Sequence, residues 1–253
     1  MRALLLAAGL GTRLRPLTNT VPKCLVPIHG RPLLDYWFDL LLPAGIERIL
    51  VNTSYLPDQV RAHMAASPWR DRVDLIHETE LLGTGGTVLA NRDWFGPGPI
   101  LVAHADNLTD FDVSAMARAH ADRPADCAMT MLAFRTDVPQ LCGILELGPH
   151  GIVRQFHEKV PNPPGNLANG AVYIFEPEVI ARIAALGKPF VDLSTEIIPG
   201  FLNRILAFEH PGYHRDIGNI ESLALANREY PIAPDASPGQ GRDQGLRHTG
   251  VRC

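Results

Sequence analysis

The sequence predicts an α/β fold in which helices flank a mixed, mainly parallel sheet. Up to about Ala105, short apolar runs rich in β-forming residues alternate with amphipathic segments. In the second half, glycines and an Asn-Pro-Pro-Gly turn separate further strand-like runs, and neither an internal repeat nor a long linker divides the chain. The first half therefore predicts a doubly wound, Rossmann-like layer, and the second half predicts strands that return to complete a pocket.

Strands are predicted where β-rich apolar runs are bounded by turn residues. In chain order they are Ala3–Ala8, Arg48–Asn52, Val73–His77, Ile100–His104, Cys127–Phe134, Ile144–Leu147 and Val172–Phe175. Helices are predicted where apolar residues recur at helical spacing. They are Pro32–Ala44, Pro57–Ala66, Gly85–Asn91, Val113–Ala121, Glu176–Leu186 and a stretch from Leu193 towards Asn203. We expect residues 1–230 to form one domain and residues 231–253, which lack apolar periodicity, to form a disordered tail.

Composition excludes several classes of function. The chain has 253 residues, 46% of them hydrophobic, and a formal net charge of -4, so no strong field favours nucleic acid or an anionic membrane. No apolar segment approaches the length of a membrane span, and the N-terminal apolar run is too short for a signal peptide. The four cysteines show no metal-binding spacing. These features predict a soluble cytoplasmic protein with reduced thiols and a small-molecule partner.

The loop after the first predicted strand carries the clearest chemical signal. The apolar run Leu4–Ala8 breaks into a Gly-Leu-Gly loop, and the cations Arg13 and Lys23 follow. A strand that delivers glycine-bearing backbone together with cations is suited to binding a polyphosphate.

Two familiar glycine motifs are excluded at this loop. A dinucleotide-binding fingerprint needs a small residue at position 14, where this chain has Leu14. A Walker A loop ends in Gly-Lys-Ser/Thr, which does not occur in the sequence. The loop therefore argues against a dehydrogenase and against an ordinary kinase or ATPase.

Two aspartates are candidate metal ligands. Asp106 follows the buried strand predicted over Ile100–His104, and Asp216 lies in a distant Arg-Asp-Ile-Gly segment. The carboxyl ends of strands in open α/β sheets face the ligand crevice, and Mg²⁺ takes one or two protein carboxylates beside phosphate and water. Taken alone, each aspartate is also compatible with a cap or a turn.

Two further segments are candidates for binding a substrate. In Glu158-Lys159, the ammonium suits a phosphate and the carboxylate can accept hydrogen bonds from sugar hydroxyls. Leu82–Thr87 is glycine-rich and opens a predicted helix, so free amides and small residues would let a base, ribose or phosphate approach. An exposed charged turn and a plain helix start remain as alternatives.

In this order the motifs resemble those of the sugar-1-phosphate nucleotidylyltransferase family. That family carries Gly-x-Gly-x-Arg-Leu-x-Pro-Leu-Thr and then Pro-Lys, which here are Gly9–Thr18 and Pro22-Lys23. Two departures, Ala105 for glycine and Val160 for proline, remove no reactive group. The resemblance continues to about Tyr230 through Leu82–Gly86, Asp106, Gly143, Glu158-Lys159, Asn169–Ala171 and Asp216–Gly218.

The resemblance implies the nucleotide-diphospho-sugar transferase fold and the reaction of an NTP with a sugar-1-phosphate to give an NDP-sugar and pyrophosphate. It implies that Mg²⁺ binds Asp106 and Asp216, and that catalysis uses Arg13, Lys23, Asp106 and Lys159. The expected substrate contacts come from Leu6, Ala8, Gly9, Gly11, Thr12, Gly83, Thr84, Gly143, Glu158, Asn169 and Asp216.

The nucleobase and the sugar stay open at this point. Glu78, just before the glycine-rich loop, could accept from two donors on a guanine edge, which favours GTP. The overall similarity favours the mannose-1-phosphate or heptose-1-phosphate guanylyltransferase branch. Alternatives are a thymidylyl- or uridylyltransferase, a cytidylyltransferase for a non-sugar phosphate such as choline phosphate, and a catalytically silent nucleotide-sugar-binding paralogue. A homo-oligomer is possible.

Overall fold

The structure is a computed structural model that describes residues 1–231. Apart from Pro231, the predicted tail lies outside the described residues. The strands are β1 Arg2–Leu6, β2 Pro27–Ile28, β3 Arg31–Pro32, β4 Ile49–Thr53, β5 Val73–His77, β6 Ile100–His104, β7 Asn107–Thr109, β8 Met129–Arg135, β9 Gly143–Leu147, β10 Val153–Glu158, β11 Leu167–Phe175, β12 Ile205–Glu209 and β13 His214–Asp216. The helices are α1 Leu33–Leu41, α2 Pro57–Ala66, α3 Gly83–Ala90, α4 Arg92–Phe95, α5 Val113–Ala121, α6 Pro177–Ala184 and α7 Ile220–Glu229.

One mixed sheet organises the described residues. Its path runs β10-β9-β11-β6-β1-β4-β5, and β8 joins β11 to β12. Strands β6, β1, β4 and β5 are parallel, whereas β11 is antiparallel to β6, β8 and β9. The predicted α/β fold, with a parallel layer first and returning strands later, is confirmed.

The sheet is buried on both faces. Successive side chains of a strand point to opposite faces, so Ala3 and Leu5 join one core and Leu4 joins the other. Helices α1, α2 and α5 cover the first face, and α3, α6 and the turns that follow Asp192 cover the second. Burial on both faces explains why the central strands read as continuous apolar runs rather than as alternating ones.

The structure differs from the predicted elements at several places. Strand β1 ends at Leu6 because the amide of Ala7 leaves the ladder and donates to Asn52 Oδ1 at 2.7 Å. The helix predicted from Leu193 is instead a π-helical turn, Leu193–Ile197, followed by a 3₁₀ turn that contains Pro199. The sequence did not predict the short strands β2, β3, β7 and β13, the edge strands β10 and β12, or helices α4 and α7.

Within residues 1–231, none of the helices has both the length and the apolar character needed to cross a lipid bilayer. Cys24, Cys127 and Cys142 are free thiols, as the sequence predicts. Burial raises the pKa of Cys24 to about 12, so this thiol stays protonated near neutral pH.

Candidate active site

Two short strands bring Asp106 and Asp216 together beyond the carboxyl end of β6. The chain leaves β6 after His104, passes Asp106 and forms β7, which pairs with β13 so that Asn107 lies opposite Asp216. The amide of Ile217 donates to the carbonyl of Asp106 at 2.9 Å. Two carboxylates that are distant in sequence therefore meet at the edge where α/β sheets bind ligands.

Two cations complete this cluster. Lys23 Nζ donates to Asp106 Oδ2 at 2.6 Å and lies 3.6 Å from Asp216 Oδ1. Arg13 Nη2 lies 3.9 Å from Asp216 Oδ2. The lysine side chain is only 9% exposed, whereas that of Arg13 is 69% exposed. The structure thus brings Arg13, Lys23, Asp106 and Asp216 into one cluster in which Arg13 faces solvent.

The pKa values of the two carboxylates are shifted in opposite directions. Burial acts to raise the pKa of Asp106, but the charge and hydrogen bond of Lys23 and the charge of His104 outweigh it, so that pKa is lowered. Burial and the charge of Asp106 raise the pKa of Asp216 above its usual range. The two acidic groups are close enough to repel each other, and such a pair attracts a cation.

Glycine is required where the cation-bearing loop folds back. Gly11 has φ +62°, and Thr18 Oγ1 donates to its carbonyl at 2.7 Å. A Cβ at Gly11 would lie 2.9 Å from Thr18 Cγ2 and 3.2 Å from Lys23 Cβ. Leu14, fully buried, anchors the next turn. The loop is therefore fixed by its own packing, with Arg13 held on its outer side.

Gly218 contributes to the cluster although the sequence assigned it no role. A Cβ at this position would lie 2.6 Å from Asp216 Oδ2 and 3.0 Å from Arg13 Nη2. Its small size leaves room for both side chains. The Asp-Ile-Gly pattern was visible in the sequence, but the reason for its glycine is visible only in three dimensions.

A small cleft separates the end of β1 from Asp106. Gly9 and Thr12 are exposed, whereas Ala8 is 7% exposed. The residues lining the cleft are Leu6, Ala7, Gly9, Lys23, Cys24 and Asp106.

Glu78 lies in a buried hydrogen-bond network. Its Oε1 accepts from Thr87 Oγ1 at 2.6 Å and from Asn52 Nδ2 at 3.1 Å. Asn52 in turn accepts from the amide of Ala7. The sequence predicts that this carboxylate can accept from two donors on a guanine edge. In the structure its Oε1 is bound by protein donors, and it ties the loop after β1 to helix α3.

The glycine-rich start of α3 also differs from the expectation of free amides. The amides of Gly85 and Gly86 donate to the carbonyl of Val191 at 2.8 and 3.3 Å, and Thr84 Oγ1 accepts from the amide of Leu193 at 2.8 Å. Gly83, with φ +73°, begins the helix, and a Cβ there would lie 2.5 Å from the carbonyl oxygen of Val191. The small residues serve packing between α3 and the 189–193 segment.

This packing predicts the effect of replacing Gly86 with alanine. An alanine inside a helix is normally favoured over glycine by about 1 kcal/mol. Here its Cβ would lie 2.3 Å from the backbone oxygen of Pro189, and overpacking of this kind costs about 1–3 kcal/mol. We expect Gly86→Ala to lower the free energy of unfolding measured in urea. Gly98 provides the control, because a Cβ at that position would meet no atom within 4 Å. Equal stability of Gly86→Ala and Gly98→Ala would contradict the clash.

A second group of predicted residues surrounds the ends of β9, β10 and β11. Gly143 pairs with Glu158 across β9 and β10, and a Cβ at Gly143 would lie 2.6 Å from Glu158 Oε2. Lys159 Nζ lies 3.2 Å from Glu158 Oε1, and its amide donates to the carbonyl of Cys142. Asn169 donates from Nδ2 to the hydroxyl of Tyr173 at 2.8 Å.

The two groups both act on the Cys142 thiol. Burial raises the pKa of Cys142, and the charges of Asp216, Lys159 and Glu158 act on it as well. Strand β11 links the groups, because Val172 pairs with β6 and Ala168 pairs with β9. The predicted nucleotide side and the predicted sugar side therefore belong to one region of the molecule.

The chain belongs to the nucleotidyl transferase family, whose model matches residues 2–231.

Among its relatives are mannose-1-phosphate guanylyltransferases. It is 30% identical over 223 residues to the catalytic subunit beta from Drosophila pseudoobscura pseudoobscura, covering 86% of this chain and 59% of that protein. It is 30% identical over 256 residues to the mannose-1-phosphate guanylyltransferase of Mycobacterium tuberculosis, covering 98% of this chain and 70% of that one. The chain thus spans about three fifths of the length of the Drosophila protein.

Solved structures share the fold. HddC from Yersinia pseudotuberculosis, complexed with GMP-PN, superposes with a TM-score of 0.76 at 25% identity over 91% of this chain and 99% of that one. A Bacillus anthracis crystal structure in complex with sucrose gives a TM-score of 0.81 at 20% identity over 92% and 98% of the two chains.

Proposed function

We propose that this enzyme condenses an NTP with a sugar-1-phosphate to give an NDP-sugar and pyrophosphate, with GTP and mannose- or heptose-1-phosphate as substrates. The observation that carries the proposal is the cluster of Arg13, Lys23, Asp106 and Asp216 beside the glycine-bearing loop. Residues 1–230 would form the catalytic domain.

The reaction requires two polyanions to be brought together. An oxygen of the sugar phosphate attacks the α-phosphorus of the NTP in line, and pyrophosphate leaves with the electron pair of the broken P–O bond. The nucleophile is already an anion at neutral pH, so no general base is needed. Positioning and charge neutralisation are therefore the tasks of the protein.

The cations have separate tasks in this scheme. Arg13, exposed at the outer side of its loop, would bind the triphosphate and the charge that develops on the α- and β-phosphates. Lys23, buried between the two aspartates, would assist beside the α-phosphate and hold the carboxylates in place. Lys159, 66% exposed at the second group, would bind the phosphate of the sugar.

Asp106 and Asp216 are a suitable donor set for Mg²⁺. Among residues 1–231 there is no cluster of three or more His, Cys, Asp or Glu side chains that could hold a metal. A pair of carboxylates nevertheless fits, because Mg²⁺ usually takes one or two from the protein and completes its shell with phosphate and water. When bound, the ion would supply charge neutralisation between the nucleotide and the incoming phosphate.

Recognition of the sugar falls to the second group. The Glu158 carboxylate, the Asn169 amide and the backbone of Gly143 offer acceptors and donors to sugar hydroxyls. The missing side chain at Gly143 lets the Phe156 ring and the Glu158 carboxylate pack against its backbone, which places that carboxylate. Which hydroxyl pattern fits is set by the loops between Asp106 and Asn169.

Guanine is the favoured base. The similarity to known guanylyltransferases supports this choice more than Glu78 does. The two relatives named above are guanylyltransferases, and the similar HddC structure holds GMP-PN. The backbone of Leu6–Gly9 and the start of α3 would frame the base. A location in the cytoplasm and assembly into a homo-oligomer are further expectations.

The test is a matrix of nucleotides against phosphorylated acceptors. The protein is incubated with Mg²⁺, each of GTP, ATP, UTP, dTTP and CTP, and a panel of sugar-1-phosphates plus choline phosphate, and pyrophosphate release is measured. We expect the highest kcat/KM for GTP with mannose- or heptose-1-phosphate. A maximum with UTP or dTTP would favour the uridylyl- or thymidylyltransferase alternative, and one with CTP and choline phosphate the cytidylyltransferase. Binding of GDP-mannose without turnover of any pair would indicate a silent paralogue.

A further inference from the structure

Strand β11 contains a bulge between the predicted sugar-binding residue Asn169 and Tyr173. Asn169 lies opposite Ala133 and Tyr173 lies opposite Met131, so four steps along β11 match only two along β8. Residues four apart in a regular strand are separated by about 13 Å. In this chain, Asn169 Nδ2 and the Tyr173 hydroxyl oxygen are 2.8 Å apart. The bulge therefore folds Asn169 back over Tyr173.

Two hydrogen bonds fix the side-chain amide of Asn169. Its Oδ1 accepts from the amide of Ala171, which has φ +52°, at 2.9 Å. Its Nδ2 donates to the hydroxyl of Tyr173. Exchanging the positions of Oδ1 and Nδ2 would place the NH₂ group against the N–H of Ala171, so that two donors would face each other. One N–H of Asn169 is left over after these bonds are made. The arrangement turns a flexible side chain into a donor of fixed direction.

Tyr173 is placed to hold this arrangement without moving. Its side chain is fully buried, and its ring stacks on Phe175 with centroids 5.3 Å apart. Burial raises the pKa of Tyr173 far above neutrality, with the charge of Glu158 also acting to raise it, so the hydroxyl stays protonated. The core thus holds the ring in place while its hydroxyl accepts the hydrogen bond from Asn169.

We propose that Tyr173 is a positioning residue for sugar recognition: its hydroxyl holds the Asn169 amide so that the remaining N–H points to an acceptor hydroxyl of the sugar-1-phosphate. This inference rests on the proposed function for its substrate. It goes further by assigning selectivity for the sugar to a buried side chain that does not contact the substrate itself.

The test uses Tyr173→Phe, which keeps the ring and removes only the hydroxyl. We expect the KM for the sugar-1-phosphate to rise about tenfold, as for the loss of one well-placed hydrogen bond, and the KM for the NTP to change less than about twofold. We also expect the ratio of kcat/KM values between sugar epimers to fall. Asn169→Ala raises the same KM at least as much, and the double variant is no worse than Asn169→Ala, because the two residues act as one unit.

Tyr36→Phe is the matched control, since its hydroxyl donates to the carbonyl of Ile28 at 2.9 Å in the α1 region. It should leave both KM values unchanged, and thermal unfolding is measured for every variant. Three results would overturn the proposal: an unchanged sugar KM in folded Tyr173→Phe, equal rises in both KM values, or additive effects in the double variant. Loss of folding in Tyr173→Phe, or an unchanged sugar KM in Asn169→Ala, would overturn it too.

The proposed function can fail separately from this inference. If the wild-type protein turns over no pair of substrates, calorimetric binding of mannose-1-phosphate to the same variants replaces the KM values. Weaker binding by Tyr173→Phe than by Tyr36→Phe would still support the positioning role, and equal binding would contradict it.

Discussion

Replacing Asp106 with asparagine is expected to reduce turnover by about a thousandfold or more while leaving the protein folded. The carboxylate is the direct partner of Lys23 Nζ at 2.6 Å and one of the two candidate metal ligands. Asparagine keeps the size of the side chain and one acceptor oxygen, so Lys23 retains a hydrogen bond. What is lost is the negative charge on which cation binding depends.

The expected magnitude follows from the energies involved. Charge neutralisation by a metal supplies several kcal/mol in a phosphoryl-transfer transition state, and each 1.4 kcal/mol, approximately, is tenfold in rate. The substitution should be measured by pyrophosphate release and by thermal unfolding. Asp74→Asn is the control, because Asp74 accepts from Arg48 at 2.7 Å near the start of β5, away from the carboxyl ends of the strands. Wild-type turnover in Asp106→Asn would reject the assigned role.

Replacing Arg13 with alanine is expected to lower kcat on the order of a hundredfold. The guanidinium is 69% exposed, and it lies 3.9 Å from the nearest oxygen of Asp216, so the folded state depends little on it. Its proposed partner is charge that develops on the α- and β-phosphates as pyrophosphate leaves. Loss of an interaction that is made only in the transition state lowers kcat and kcat/KM together.

Steady-state kinetics with varied NTP check this assignment. Arg61→Ala on α2 is the control, since Arg61 is also exposed and its neighbour, Asp58, is likewise a surface carboxylate. We expect the control to keep wild-type kcat and both variants to keep the thermal stability of the wild type. A rise in KM with unchanged kcat would mean that Arg13 binds the nucleotide equally in the ground state and the transition state, and it would contradict the assigned role.

Much of the fold follows from local pattern. Burial on both faces gives β6 four consecutive buried residues before His104, and such a run is readable without a structure. Strands β7 and β13 are three residues each and lie far apart in the sequence, so no local pattern indicates their pairing. That pairing is what places Asp216 beside Asp106. The sequence identifies both aspartates as candidates but does not show that they lie close together.

The expectations that needed correction share one physical cause. Glu78 and the glycines of α3 look available to a ligand because their partners, Thr87, Asn52 and Val191, are not adjacent to them in the chain. Thr84 is bonded to an amide 109 positions away. A buried polar group almost always has a partner, but sequence cannot say whether that partner is protein or ligand. For the same reason, the sequence does not predict the hydrogen bond between Asn169 and Tyr173.

The central claim is that this site transfers a nucleotidyl group to a phosphorylated sugar. The most direct measurement follows label from GTP carrying radioactive phosphorus at the α-position, incubated with the protein, Mg²⁺ and mannose- or heptose-1-phosphate. We predict that label appears in a nucleotide sugar in equal amount to the pyrophosphate released, and that omitting the acceptor or chelating the metal abolishes both. Pyrophosphate release that continues without acceptor, or label transfer that survives chelation, would contradict the account.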